Sequence, residues 1–265
     1  HGEPFPIAGA IEDKSALTGF DMVSKLEEDD FARVRYVVDK VGPEYAHFAV
    51  IPDPFKISWR LRGGMQQLLM DYILDPELVH ALARIATDYY KAAAEMAQAA
   101  GVDAIVMNGD LAGEETTIMS PDAYREYIKP SHAEIVEHVH NLGLLIIKHT
   151  DGNFWPILDD FLEVGFDALH PIQPQCMDIA EVKEYVAGTA CIIGNIDCRN
   201  LLVYGTEAEV EQGVKATIAA AAPGGGYIVS SSNSIHPGVR PENYIAMVRA
   251  TGRYGRYDDL QDHQT

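Results

Sequence analysis

The 265 residues include 20 Lys+Arg against 40 Asp+Glu, a formal charge of −20 that no basic cluster offsets, so a phosphate backbone would be repelled and nucleic acid is not an expected partner. Apolar residues at 47% and charged residues at 23% are ordinary for a globular chain, and no apolar run reaches the roughly 18 residues a membrane span requires. Cys176, Cys191 and Cys198 lack CxxC spacing, which speaks against a disulfide framework or a thiolate zinc knuckle and fits a reducing cytoplasm.

The length suits one α/β domain, since barrels of roughly 200–250 residues fold as single units. HGEPF, the opening segment, has neither the basic nor the apolar region of a signal peptide, and a chain starting on His1 is expected to be truncated at its N-terminus. From residue 44 onward short apolar runs alternate with helical patterns. YAHFAVIP (45–52) is the first predicted strand. A helix follows, with Asp75 as N-cap, Pro76 at its first position, and Leu78, Leu82, Ile85 and Tyr89 at helical spacing. VDAIVMNG (102–109) is the second strand, and Ser120-Pro121-Asp122 opens the next helix in the same manner. LGLLIIKH (142–149), FDALHPI (166–172), ACIIGNI (190–196) and GYIVSSS (226–232) complete six strands. Asp178 with Glu181 and Thr206 with Glu209 are capping-box patterns, while Gly143, Gly165 and Gly188 mark helix ends.

The near-continuous Val, Ile and Ala content of these runs suits parallel strands buried on both faces. Alternation of this kind permits a doubly wound sheet or a (β/α)8 TIM-type barrel. No G-x-G-x-x-G follows the first strand, as a dinucleotide-binding sheet would want. Polar residues instead collect just past almost every strand: Asp53, Asn108, Asp110, His149, Asp151, His170, Asn195, Asp197, Ser232, Asn233 and His236. Barrel enzymes build their sites at that rim, so the barrel is the expected architecture.

The segment IIKHTDGNFWP (146–156) carries the most chemistry. His149 and Asp151 are two apart, so an extended backbone points both to one face, where imidazole and carboxylate can share a cation if another strand end adds a ligand. Helix capping by Asp151 or Asn153, with a hydrogen-bonded His149, is the competing reading. In NGDLAGEETTIMSP, Asp110, Glu114 and Glu115 place three carboxylates within six residues, which a cation, a proton or an arginine must relieve unless the loop is merely solvated. His170, before Pro171, can serve as an acid-base group or ligand, or bond a neighbouring carbonyl. Asp197 can orient a histidine, hold a cation or cap a helix. Asn233 and His236 lie in a turn-rich segment able to bind a carboxylate or ring substituent, and Trp59 offers an aromatic wall or a core side chain. No G-x-S-x-G is found, so a serine nucleophile is not expected.

Taken in order, IPDPFKISWRLRGGMQQLLMDYILDPELV, NGDLAGEETTIMSPDAYREYIKP, IIKHTDGNFWPILDDFLEVGFDALHPIQP, IIGNID and GGYIVSSSNSIHPGVRPENYIAM resemble the uroporphyrinogen decarboxylase family, which includes zinc-dependent methyltransferases that work with corrinoid proteins. The resemblance covers residues 45–250 and implies a single barrel domain over 1–265, with 1–44 as lead-in, the six strands as the family's third to eighth, and the first two βα units missing. In decarboxylases of the family the position of His149 is usually not histidine, and a histidine commonly stands where this chain has Asn233. The coenzyme M methyltransferases bind zinc through His-x-Cys and a later cysteine; here His149 matches, while Asp151 and Asn233 replace the cysteines. Oxygen ligands suit a Lewis acid acting on an oxygen or nitrogen leaving group.

The resemblance therefore implies a metal-assisted methyltransferase moving a methyl group from a small O- or N-methylated donor to a cobalamin (corrinoid) protein. Zn²⁺ would be held by His149 with Asp151, Glu114 or Glu115. Asp110, His149 and His170 are the expected catalytic groups, and Trp59, Asn153, Asp197, Asn233 and His236 the expected substrate contacts. A homodimer is compatible with this reading. Tetrapyrrole side-chain decarboxylation without a metal is the alternative, and a non-catalytic corrinoid-docking subunit the second.

Overall fold

Residues 8–257 are described by a computed structural model. Six strands form one sheet in the order of the chain: β1 (Phe48–Pro52), β2 (Ala104–Asn108), β3 (Leu145–His149), β4 (Ala168–His170), β5 (Cys191–Ile196) and β6 (Tyr227–Ser231). Each lies inside its predicted run, because a short apolar run between a glycine or polar stop and a capped helix has few other solutions. Registered pairs such as Ile51↔Met107, Ala168↔Cys191 and Gly194↔Val229 are parallel, as helical crossovers demand. The chain has an α/β fold with a parallel sheet.

By internal contacts the chain divides into two units. One runs through Asp110 and adds 119–148 and 163–166; the other comprises 111–118, 149–162 and the chain from Asp167 onward. The first is organised by the helix Pro76–Ala99. Asp75 caps it as expected, accepting from the Leu78 amide at 3.3 Å, and Leu78, Leu82, Ala86, Tyr90, Ala93, Ala94 and Ala97 are buried along one stripe. Full burial of a side chain such as Leu82 contributes about 2 kcal/mol. That stripe packs against the helices Pro54–Arg62 and Lys129–Asn141.

In the second unit the helix Glu207–Ala221 lies against Pro241–Tyr254 and β5, burying Val210, Val214, Ile218 and Ala221. Thr206 and Glu209 form the expected reciprocal box; Asp178 instead accepts from two amides, Ala180 and Glu181, at 2.8 and 3.1 Å. The inner strands are mostly buried apart from Leu145 at the start of β3, but β1 alternates, with Phe48 46% and Val50 61% exposed, and Ile228 on β6 is 44% exposed. These are the outer strands of the described sheet, so continuous apolar sequence there does not mean burial on both faces.

Candidate functional site

His149 is the last residue of β3, and Asp151 follows it past the buried Thr150. Thr150 locks this exit. Its amide donates to the His170 carbonyl at 3.0 Å, and its hydroxyl accepts from the Leu111 amide at 2.8 Å. The chain then turns at Gly152, whose φ is +86° and where a Cβ would run into the Gly113 carbonyl. Only glycine fits that approach without strain. Asn153 completes the seam: its amide donates to Gly113 O at 2.8 Å, its Nδ2 to Glu115 O at 3.1 Å, and its Oδ1 accepts from the Trp155 amide at 3.2 Å.

His149 Nε2 and Asp151 Oδ1 are 3.7 Å apart. This exceeds a hydrogen bond and is near the roughly 3.3 Å separating two ligand atoms of a tetrahedral cation with bonds of about 2.0–2.2 Å. The other carboxylate oxygen, Asp151 Oδ2, accepts from Asn233 Nδ2 at 2.5 Å, which fixes the carboxylate's rotation. On the far side of the imidazole, His149 Nδ1 and His170 Nδ1 are 2.7 Å apart, so one of the two must carry the shared proton. Burial, and then the neighbouring His149, push the pKa of His170 down to about 3. His170 is therefore neutral near pH 7.

Glu114 and Glu115 sit elsewhere. An antiparallel bridge between Ala112 and Thr117, with Gly113 N donating to Thr116 O at 2.8 Å, folds 111–118 into a tight turn and puts both glutamates at its exposed tip. The Glu114 carboxylate takes Arg199 Nη1 at 2.6 Å, the arginine solution to carboxylate crowding. Among the described residues, the group close enough to hold a cation contains His149 and Asp151 and neither glutamate. Asp110, the last residue of the first unit, directly precedes this loop.

The remaining candidates divide between a cleft and the framework. Gln173, Cys198, Arg199, Ser232, Asn233 and His236 are among the residues lining an open cleft of about 380 Å³ in the second unit. Within it His236 has both ring nitrogens engaged, with Nε2 facing Cys198 O at 3.0 Å and Nδ1 accepting from the Gly238 amide at 3.1 Å. It ties its own loop to the chain after β5. Asp197 caps the following turn, accepting from the Arg199 and Asn200 amides at 2.7 and 3.1 Å. Burial alone would raise its pKa, but these donors hold it below the ordinary carboxylate value. Trp59 is 5% exposed in the core of the first unit, which leaves little ring for an aromatic wall.

One constellation had no signal in sequence spacing. Asp53, fully buried, accepts from the Phe55 amide at 2.7 Å through Oδ1 and from Lys148 Nζ at 2.7 Å through Oδ2, with His132 Nε2 2.9 Å from the same oxygen. Its partners are 79 and 95 residues away in the chain. Only the tertiary fold brings them together.

The sequence model of the uroporphyrinogen decarboxylase (URO-D) family matches residues 12–254. A methylated-thiol–coenzyme M methyltransferase of Methanosarcina mazei is 24% identical over 211 residues, covering 79% of this chain and 54% of its own length. A uroporphyrinogen decarboxylase of Nitrosococcus oceani is 27% identical over 180 residues, covering 66% and 48%. The chain thus spans about half the length of the curated relatives it matches. A solved methyltransferase from Methanosarcina mazei superposes with a TM-score of 0.77 at 22% identity, over 97% of this chain and 72% of that one. At that identity the likeness speaks for the fold.

Proposed function

Because this chain belongs to the uroporphyrinogen decarboxylase family, whose architecture is a TIM barrel, we propose that it serves a methyltransferase that moves a methyl group from a small O- or N-methylated donor to a corrinoid protein, assisted by a bound cation. The observation that carries the reading is the pairing of His149 Nε2 with Asp151 Oδ1 at 3.7 Å beside a carboxylate oriented by Asn233. The donor set of one imidazole nitrogen and one carboxylate oxygen fits a borderline Lewis acid such as Zn²⁺. Glu114, occupied by Arg199, and Glu115, at the loop tip, drop out of that set.

When bound, the cation polarises the donor oxygen or nitrogen. The chain's own residues do the rest. Neutral His170 accepts a hydrogen bond from the Nδ1–H of His149, which leaves the Nε2 lone pair directed at the ligand position; an outer partner of this kind fixes tautomer and ring orientation. Asn233 holds Asp151 so that one oxygen faces the cation. The cleft beyond Asn233 receives the body of the donor against hydroxyl and amide groups of Ser232 and Gln173. In the transfer, the bond from methyl carbon to oxygen or nitrogen breaks with its electron pair remaining on the heteroatom, and the acceptor supplies the pair for the new bond. A water proton then neutralises the demethylated product. The methylated-thiol relative supports methyl transfer as the reaction class.

Incubating the protein with free cob(I)alamin and a panel of O- and N-methylated donors, with methylcobalamin read by its absorbance, tests the assignment. Formation that depends on His149 supports it. Release of CO₂ from uroporphyrinogen by metal-free protein contradicts it and selects the decarboxylase reading that the Nitrosococcus oceani relative represents.

A further inference from the structure

We propose that Lys148 is a positioning residue, one that sets the strand end from which His149 projects, an inference that rests on the cation reading above. Lys148 is the residue before His149 on β3, and its side chain is fully buried. Neighbouring strand residues point to opposite faces, so an ammonium anchored on one face governs how the next side chain leaves the other. Its Nζ donates to the Gly109 carbonyl at 2.7 Å and to Asp53 Oδ2 at 2.7 Å. Gly109 precedes Asp110, and a Cβ on Gly109 would collide with the Asp53 side chain, so the close approach of these strand ends requires glycine there.

The anchor is itself held on several sides. Asp53 caps the helix Pro54–Arg62 through Phe55, and His132, 2.9 Å from Asp53, has its Nδ1 3.0 Å from the hydroxyl of Tyr124, both rings being completely buried. Lys148 therefore links the ends of β2 and β3 to a helix start and a second helix. Stability alone does not account for such a pair: two charges taken out of water lose about as much solvation as they gain in attraction, and apolar replacements of equal volume are often neutral or better. What an apolar side chain cannot supply is a directed bond to the Gly109 carbonyl.

The test is the charge-balanced double variant Lys148→Met with Asp53→Asn, in which the new amide can cap Phe55 and donate to His132 after a tautomer exchange. With native circular dichroism, its dissociation constant for Co²⁺, measured by chelator competition, is expected to rise about 10–100-fold over the wild type. A second variant, Lys148→Gln with Asp53→Asn, retains a donor for the Gly109 carbonyl; it is expected to bind more tightly than the methionine version and keeps the question decidable should that one not fold. Co²⁺ binding within twofold of wild type in both variants overturns the proposal. If the wild type itself binds no Co²⁺, the cation reading fails separately. The positioning claim is then decided by the imidazole ¹⁵N resonances of His149 and His170: displaced in the variants if Lys148 sets their placement, unchanged if it does not.

Discussion

Burial would raise the pKa of Asp53, but Lys148 and His132 beside it hold the carboxyl well below the ordinary carboxylate range. The sign of the consequence follows. A carboxylate whose folded pKa lies under its unfolded value of about 4 contributes stability that is present above pH 4 and lost as the pH falls through the folded value. Lys148→Met with Asp53→Asn removes that dependence, and at pH 7 it should change stability by no more than about 2 kcal/mol, because the lost attraction and the spared desolvation offset each other. Urea midpoints at pH 6, 4 and 3 check this: the wild type is expected to weaken more steeply than the double variant below pH 4. Parallel decline would mean that the pair is not ionised in the folded protein. Asp151 has the same functional group at a partly exposed strand exit, where an amide orients it and an imidazole faces it at 3.7 Å. Environment, not residue type, separates the two aspartates.

At the scale of elements, the strand exit 149–154 and the turn 111–118 are stitched backbone to backbone, with Asn153 N on Gly113 O at 2.8 Å and Gly152 stacked over the same carbonyl. Gly152→Ala is expected to cost more than about 2 kcal/mol in chemical denaturation, since it combines a positive φ with a backbone collision. A loss under about 0.5 kcal/mol would show that the seam yields. The six strands and the main helix starts were legible in sequence because each leaves a local signature: an apolar run, or a capping residue followed by proline as at Asp75-Pro76 and Ser120-Pro121. The His149 and Asp151 pairing was legible for the same reason, as an alternation within one strand exit. What could not be read was the distribution of partners. Nothing in NGDLAGEETT tells that Glu114 meets Arg199, 85 positions on, or that both ring nitrogens of His236 are used within its own surroundings. Nor does Lys148 look different from a solvated lysine until the fold places Asp53 beside it.

Across the whole molecule, exposed apolar side chains occur on the outer strands as well as on helices, as at Ile73 and Tyr204. Val50 on β1 is 61% exposed near Tyr45 and Phe48, at 66% and 46%, and in the second unit Ile228, Ile245 and Val248 are 44%, 47% and 53% exposed. Unpaired strand edges with apolar side chains favour association, while the net charge of −20 opposes it at low salt. Sedimentation of this 265-residue chain is therefore expected to show self-association that grows with ionic strength and is reduced by Val50→Lys. A monomer at every salt and protein concentration would contradict that. Among the described residues no helix is long and apolar enough to cross a membrane. Whether His149 and Asp151 hold a cation, as proposed, is tested by calorimetric titration of metal-stripped protein with Zn²⁺ beside the single variants His149→Ala and Asp151→Ala. One equivalent bound by the wild type is expected, with a loss of more than about 100-fold in affinity in each variant, larger than the roughly 10–100-fold expected for a residue that only orients a ligand; equal binding by all three proteins, or none by the wild type, would contradict the proposed cation site.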